Sequence, residues 1–174
     1  AEEDEQKANK WLIMMFYMMG LSIGTHLLNL VTIPALAMIY YYKKYTPTKI
    51  GLLVAFLAGL AIVGIINVGV IVKLPTFAGH FELFFVNNLG MPIGTGIVVF
   101  VVMLIAALVY AIFYSVKTKN ETLNTAILSL CFVILGYMTY MMIPIRSSYN
   151  PPIDENNPED IMSFVSYLKR EQYG

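Results

Sequence analysis

Four stretches of this sequence contain no Asp, Glu, Lys or Arg, and they constrain its fold more than any motif does. They cover residues 11–42, 50–72, 83–116 and 122–145. Apolar runs of about 20 residues without charge are typical of helices that cross the hydrocarbon layer of a membrane. Charged residues make up 13% of the chain, whereas soluble domains carry about 25%. We therefore predict an all-α, polytopic transmembrane bundle of about four to five spans with an amphipathic helix outside the membrane.

The same pattern divides the chain into three parts. Residues 1–10 form a polar N-terminal segment, residues 11–143 the transmembrane bundle, and residues 144–174 an extracytoplasmic tail. We predict spans at about 11–23, 27–42, 50–72, 95–116 and 122–143. The first segment is short for the hydrocarbon layer, so it either crosses the membrane or re-enters over residues 11–26. We expect the chain to be a segment of a longer protein.

Lysines in two connections indicate the orientation. Residues 43–49 carry three lysines and residues 117–121 carry two, and cytoplasmic loops are enriched in Lys and Arg. The loop 74–93 and the tail from Pro144 are then predicted to lie outside the cytoplasm. The net charge is zero, which gives no electrostatic signature of nucleic-acid binding. Cys131 stands alone and is predicted to be a small buried residue rather than a metal ligand.

The stretch "GLSIGTHLLN", residues 20–29, places small and polar groups inside an apolar segment. On a continuous helix Ser22, His26 and Asn29 fall on one stripe, which is expected to face the bundle or a wet cavity. Two interpretations follow. Either the helix breaks near Gly24 and His26 and Asn29 cap the freed backbone groups, or these two residues line a cavity that binds a polar ligand.

The tail, "IPIRSSYNPPIDENNPEDIMSFVSYLKREQYG" over 143–174, contains a helix signal. Asn157 is the predicted N-cap, Pro158 the first helical residue, and the helix is expected over about 158–171. Its apolar face, formed by Ile161, Phe164 and Leu168, is predicted to pack on the membrane or on a following domain.

The polar residues of the tail suggest a second candidate site. Arginine suits phosphate oxygens, and amides and carboxylates suit sugar hydroxyls. The adjacent carboxylates of Asp154 and Glu155 are otherwise typical of a solvated loop, and Arg146 suits an ordinary lipid phosphate equally well. The candidate substrate-binding residues here are Arg146, Asn150, Asp154, Glu155 and Asn157.

The segments "GLSIGTHLLNLVTIPALAMIYYYKKY" and "IRSSYNPPIDENNPEDIMSFVSYLKREQYG" resemble a bacterial membrane-protein family called domain of unknown function 2723. That family is grouped with protein O-mannosyltransferase-like enzymes of the GT-C superfamily. The resemblance implies transfer of a sugar from a polyprenyl-phosphate donor to a protein or other acceptor, on the outer side of the bacterial inner membrane. It gives His26 the basic position of a small-residue turn, with Asn29 beside it.

The family's usual acidic loop between the first two spans has no counterpart in this sequence. We therefore assign no catalytic residue, and neither Asp154, Glu155 nor Glu82 is taken as the base. The expected partners are membrane lipid, the polyprenyl-phosphate donor, and a protein acceptor or partner subunits. We predict no cofactor and leave a divalent metal open. The main alternative is a non-catalytic anchor or scaffold subunit that binds its complex through the outer helix. Transport is a third, weaker possibility, because His26 is the one intramembrane ionisable group.

Overall fold

The computed structural model describes the backbone of residues 2–173, and side chains except those of residues 2–6 and Gln172. The described chain is helical and contains no β-strand, which confirms the predicted all-α fold. Its α-helices are α1 Glu2–Ile23, α2 Thr32–Lys44, α3 Lys49–Gly64, α4 Leu74–Leu83, α5 Thr95–Lys117, α6 Glu121–Tyr137, α7 Met142–Ser147 and α8 Ile161–Lys169.

Three continuous helical stretches of the described chain are long and apolar enough to cross a membrane. They are Lys49–Asn88, Thr95–Lys117 and Glu121–Ser147, and they contain the spans predicted at 50–72, 95–116 and 122–143. The first joins α3 and α4 through π-helical residues Ile65–Lys73 and ends in a π-helical turn at Phe84–Asn88. Its 40 residues correspond to about 60 Å at the rise of an α-helix. The predicted loop over 74–93 is therefore wrong for most of its length.

The long helix continues through Pro75, which lies in the first turn of α4, a position that tolerates proline. Proline has no N–H, so it cannot reach the carbonyl four residues earlier, here that of Ile71. The hydroxyl of Tyr137 on α6 donates to this carbonyl at 3.1 Å, in a buried position. The proline that the sequence analysis took as part of a loop thus lies inside a helix.

Helices α1 and α2 form a hairpin that is not among the three apolar stretches. The predicted second span, 27–42, is divided into a 3-10 turn at Leu27–Val31 and the 13-residue α2. Thirteen residues extend only about 20 Å, which is shorter than the hydrocarbon layer of about 30 Å. A full crossing by α2 alone is therefore excluded by its length.

Glycines allow α1 to pack closely on α6 and α2 to pack closely on α3. Gly20 of α1 meets the backbone of Val133 and Gly136 on α6, and both helices run the same way along this contact. Gly59 of α3 meets the backbone of Pro34 at the start of α2, which returns antiparallel to α3. In both places a Cβ would overlap with backbone atoms, so close approach requires glycine.

The ends of the bundle differ in charge. Helix α2 ends and α3 begins at the same end, where Tyr41 contacts Gly51, and the loop between α5 and α6 also lies there beside α1. We call this the lysine-rich end, after Lys43, Lys44, Lys49, Lys117 and Lys119. Helices α7 and α8 lie at the opposite end, which we call the tail end. N-caps fix two of the turns at the lysine-rich end: Thr48 accepts from the Gly51 N–H and Asn120 from the Leu123 N–H, both at 3.0 Å.

At the tail end, Glu82 of α4 caps the next helix. Its carboxylate accepts the N–H groups of Gly94 and Ile97, the latter at 3.0 Å, at the N-terminus of α5. The side chain is buried, and the positive end of a helix dipole stabilises a carboxylate in this position. Glu82 therefore holds the α4–α5 turn together.

The tail helix begins later than predicted. Asp160, rather than Asn157, is the N-cap of α8, and Pro158 is a buried residue that precedes the helix. Hydrogen bonds from the hydroxyl and N–H of Ser163 lower the pKa of Asp160.

The apolar face of α8 packs inside the protein. Phe164 is 0% exposed and Val165 is also buried, because α8 contacts α4 and the π-helical segment Ile65–Lys73 that precedes α4. The prediction that this face packs on the membrane or on a following domain is therefore wrong.

Candidate functional site

The "GLSIGTHLLN" stretch breaks at Gly24, as one of the two interpretations expected. Helix α1 ends at Ile23, and the ring nitrogen Nδ1 of His26 accepts from the Leu28 N–H at 3.3 Å, capping the 3-10 turn. Asn29 contributes backbone groups only: its N–H donates to the His26 carbonyl, and its carbonyl accepts from the Thr32 hydroxyl. Both side chains are exposed. Because the helix breaks at Gly24, His26 and Asn29 do not form the continuous polar stripe that was expected to face the bundle.

The tail contains a cleft of about 390 Å³ where α7, the loop after it and α8 meet. We call it the Arg146 cleft. Three of the predicted residues, Arg146, Asp154 and Glu155, line it together. The other lining residues are Ile143, Ser147, Pro151, Ile153, Pro158 and Tyr167.

Ser147, at the end of α7, fixes the shape of the cleft. Its buried hydroxyl donates to the Asp154 carboxylate at 2.8 Å and lies 3.2 Å from the Asn157 amide oxygen. The Asn157 amide nitrogen donates to Glu159 at 3.3 Å. Asp154 and Asn157 therefore hold the loop 150–157 against α7. Asn150 supports the same loop through its backbone, which is left-handed at φ 49°, and its side chain is not part of the lining.

The two charged groups that flank Asp154 differ in their contacts. Glu155 accepts a hydrogen bond from the Tyr173 hydroxyl at 2.8 Å, which ties the cleft to the last turn of the described chain. Among the described residues no hydrogen bond or ion pair reaches Arg146, which is exposed. A guanidinium in this state presents its fork of donors to an anion.

An aromatic pair connects the Arg146 cleft with the turn after α1. Tyr140 lies against Gly24, 3.3 Å from the position a Cβ would take there. Tyr140 also interacts with Tyr167, which lines the cleft, and its ring lies 6.1 Å from that of Phe164. His26 and Asn29 are thus at the same end of the bundle as the cleft, but neither lines it.

Sequence reasoning missed Ser147, Tyr167 and Tyr173, which shape the cleft. Their roles depend on the tail folding back on α7, and the sequence signal available was the polar "RSS" segment at 146–148 directly after a span. Within the residues that the structure describes, no three His, Cys, Asp or Glu side chains cluster in a way that holds a metal ion.

Comparison with known proteins gives one family match. Residues 1–49 match the family described as the protein O-mannosyl-transferase TMEM260 N-terminal domain. The matched residues correspond to the α1–α2 hairpin and the turn into α3. No curated protein and no solved structure matches the chain. The match covers less than a third of the chain, so it shows a similarity of this part to a protein O-mannosyltransferase family; the three apolar helices indicate an integral membrane protein.

Proposed function

We propose that this chain is a segment of a GT-C-like membrane glycosyltransferase that takes sugar from a polyprenyl-phosphate donor and transfers it to a protein or other acceptor. The observation that carries the proposal is the O-mannosyltransferase family match over the α1–α2 hairpin. Two features support it: the three apolar helices, and a polar cleft at one end of the bundle.

The Arg146 cleft is the proposed place of the donor phosphate. Arg146 is the second-to-last residue of the third apolar stretch, Glu121–Ser147, which suits the depth of lipid headgroups. Charge-assisted, bidentate hydrogen bonds from a guanidinium stabilise phosphate oxygens, and they strengthen as negative charge develops on the leaving group. Asp154 and Glu155 in the same cleft are proposed to accept hydrogen bonds from sugar hydroxyls.

In the proposed reaction an acceptor hydroxyl oxygen bonds to the anomeric carbon while the bond from that carbon to the phosphate oxygen breaks. The hydroxyl proton passes to a carboxylate base, and the polyprenyl phosphate leaves. We assign that base to none of Asp154, Glu155 and Glu82. Asp154 accepts from Ser147, Glu155 from Tyr173, and Glu82 caps α5, so each already makes a structural contact.

His26 and Asn29 keep a supporting role in the proposal. The His26 cap fixes the turn that lies against Tyr140, and Tyr140 in turn interacts with Tyr167 in the cleft. Through this contact the turn positions one wall of the donor site.

We further propose that the bundle lies in the bacterial inner membrane, with the lysine-rich end in the cytoplasm and the tail in the periplasm. The positive-inside rule supports this orientation. Single cysteines at Thr46 and Ile153, in a chain with Cys131 replaced by Ala, are expected to label from opposite sides of sealed vesicles. Labelling of both from one side would contradict the orientation.

The test of the donor site is Arg146→Ala in the full-length protein, assayed for sugar transfer in native membranes or nanodiscs. Loss of a hydrogen-bonded charge of this kind removes about 1.5–3 kcal/mol, so kcat/KM for the donor is expected to fall roughly 10- to 100-fold. Lys169→Ala removes a cation from the same end, outside the cleft, and is expected to leave turnover unchanged. Equal turnover in wild type and Arg146→Ala would exclude Arg146 from the site.

The alternative is an anchor or scaffold subunit that binds its complex through the outer helix. Because Phe164 and Val165 are buried against α4, such a partner would contact the exposed side of α8, which includes Met162 and Lys169. Sugar transfer by the full-length protein, absent from a matched null strain, distinguishes the two functions directly.

A further inference from the structure

A second cavity lies toward the lysine-rich end, between α1, α2, α3 and α6. Its volume is about 490 Å³, and it shares no lining residue with the Arg146 cleft. The deeper walls are aliphatic and aromatic, with Met15 and Phe16 from α1, Ile62 from α3, Ile66 from the π-helical segment Ile65–Lys73, and Val133 from α6. Because these lining side chains are apolar, this part of the cavity suits a hydrocarbon chain.

One wall of the cavity carries hydroxyl groups without partners. Thr122, Thr125 and Ser129 of α6 all line it, and a spacing of three and four residues places them on one helix face. Ser129 is 5% exposed, and its hydroxyl is the buried side-chain polar atom of the described residues that has no hydrogen-bond partner. No hydrogen bond joins the hydroxyls of Thr122 and Thr125 to any described residue.

Seven other hydroxyls of the bundle behave differently. They bond to the carbonyl of a residue three or four positions earlier in the same or the preceding turn, as serine and threonine usually do in helices. The examples are Ser22, Thr32, Thr76, Ser115, Thr118, Thr139 and Ser148. The three α6 hydroxyls are thus available to a bound molecule, the two threonines nearest the mouth.

The mouth of the cavity brings together both signs of charge. Lys44 at the end of α2 and Glu121 at the start of α6 both line it. The side chains of Tyr40, Tyr41 and Tyr45 also line the cavity. Tyrosine and lysine at such a position are typical of the membrane–water boundary. A purely anionic headgroup would meet Glu121, whereas a headgroup with a phosphate and an ammonium complements both side chains.

We propose that this cavity binds a glycerophospholipid with a zwitterionic, ethanolamine-type headgroup. Its phosphate lies toward Lys44 and its ammonium toward Glu121. Its ester carbonyls accept from the three α6 hydroxyls, those of Thr122, Thr125 and Ser129, and one acyl chain fills the aliphatic part as far as Val133. The site is independent of the sugar donor, because it is at the opposite end of the bundle from the Arg146 cleft.

The test uses native mass spectrometry of the full-length, delipidated protein titrated with dioleoyl phosphatidylethanolamine or dioleoyl phosphatidylglycerol. The wild type is expected to retain the ethanolamine lipid at lower concentration than the glycerol lipid. The double variant Thr122→Val with Thr125→Val is expected to bind the ethanolamine lipid about tenfold more weakly, because two neutral hydrogen bonds are lost. Thr46→Val is the control, since Thr46 is an exposed threonine near the same end outside the cavity.

Two further variants separate binding from folding. Ala58→Phe fills the cavity from α3 and is expected to abolish retention, with the helical circular dichroism unchanged. Glu121→Gln is expected to weaken retention of the ethanolamine lipid but not of phosphatidylglycerol, an outcome that a misfolded protein does not give. Equal retention of both lipids by wild type and Glu121→Gln, or retention that persists in Ala58→Phe, would overturn the proposal. Occupation of the cavity by a second copy of the chain, seen as a lipid-free dimer, would overturn it too.

Discussion

The contact between α1 and α6 depends on two glycines, and Gly136→Ala tests it. A Cβ at this position would lie 2.6 Å from the Leu21 nitrogen and 2.6 Å from the Tyr17 carbonyl oxygen, both of them backbone atoms. Non-bonded carbon atoms normally approach to about 3.5–4.0 Å. Backbone has no rotamer to adjust, so the two helices must separate by roughly 1 Å.

The expected cost follows from this separation. A gap of 0.5–1 Å forfeits about a quarter to a half of each dispersion contact along the seam, and overpacking of this kind costs about 1–3 kcal/mol. The higher helix propensity of Ala returns about 0.5–1 kcal/mol. We expect the free energy of unfolding to fall by about 1–2 kcal/mol.

The assay is reversible unfolding of the full chain in mixed micelles, followed by circular dichroism as the fraction of denaturing detergent rises. Gly64→Ala is the matched control, because nothing lies within 4 Å of a Cβ at Gly64; it is expected to be neutral or slightly stabilising. If Gly136→Ala and Gly64→Ala unfold at the same detergent fraction, close packing of α1 on α6 at this point is refuted.

Two more substitutions test single hydrogen bonds. Asp160→Ala is expected to destabilise α8 by about 1 kcal/mol at pH 7, measured as faster amide exchange, whereas Asp160→Asn keeps a capping oxygen and stays near wild type. Because the folded pKa of Asp160 is lowered, its stabilisation is present above the unfolded value near 3.9 and is lost as pH falls through the folded value; an acid-insensitive difference would contradict the cap. Tyr137→Phe leaves the buried Ile71 carbonyl without its donor and is expected to cost about 1–3 kcal/mol in thermal unfolding; an unchanged melting temperature would show that the carbonyl has another partner.

Charge boundaries made the membrane helices predictable. Helix α5 ends at Lys117, α6 begins at Glu121, and the Thr48 cap marks the start of α3; all of these signals act within one turn of the helix. The course of residues 74–88 was not predictable in the same way. Pro75 indicates a loop when only its neighbours are considered, and the hydroxyl that donates to the nearby Ile71 carbonyl belongs to Tyr137, far away in the sequence.

In the Arg146 cleft, too, some features were predictable from local sequence and others were not. Arg146, Asp154 and Glu155 were predicted because residue type and proximity in sequence were sufficient. Asn157 was misread as the helix cap because "NPED", residues 157–160, offers two N-cap residues, Asn157 and Asp160; the structure uses Asp160, which accepts from the Met162 and Ser163 N–H groups.

The seam between α1 and α6 also has a consequence for how the protein is made. Gly20 and Gly136 are roughly 115 positions apart, which at typical synthesis rates corresponds to roughly ten seconds. During that interval α1 has left the ribosome without its main neighbour, and its side toward α6 is covered by lipid or by the insertion machinery. The seam between α1 and α6 therefore closes only after this interval, by docking of α6 on a helix that has long been made.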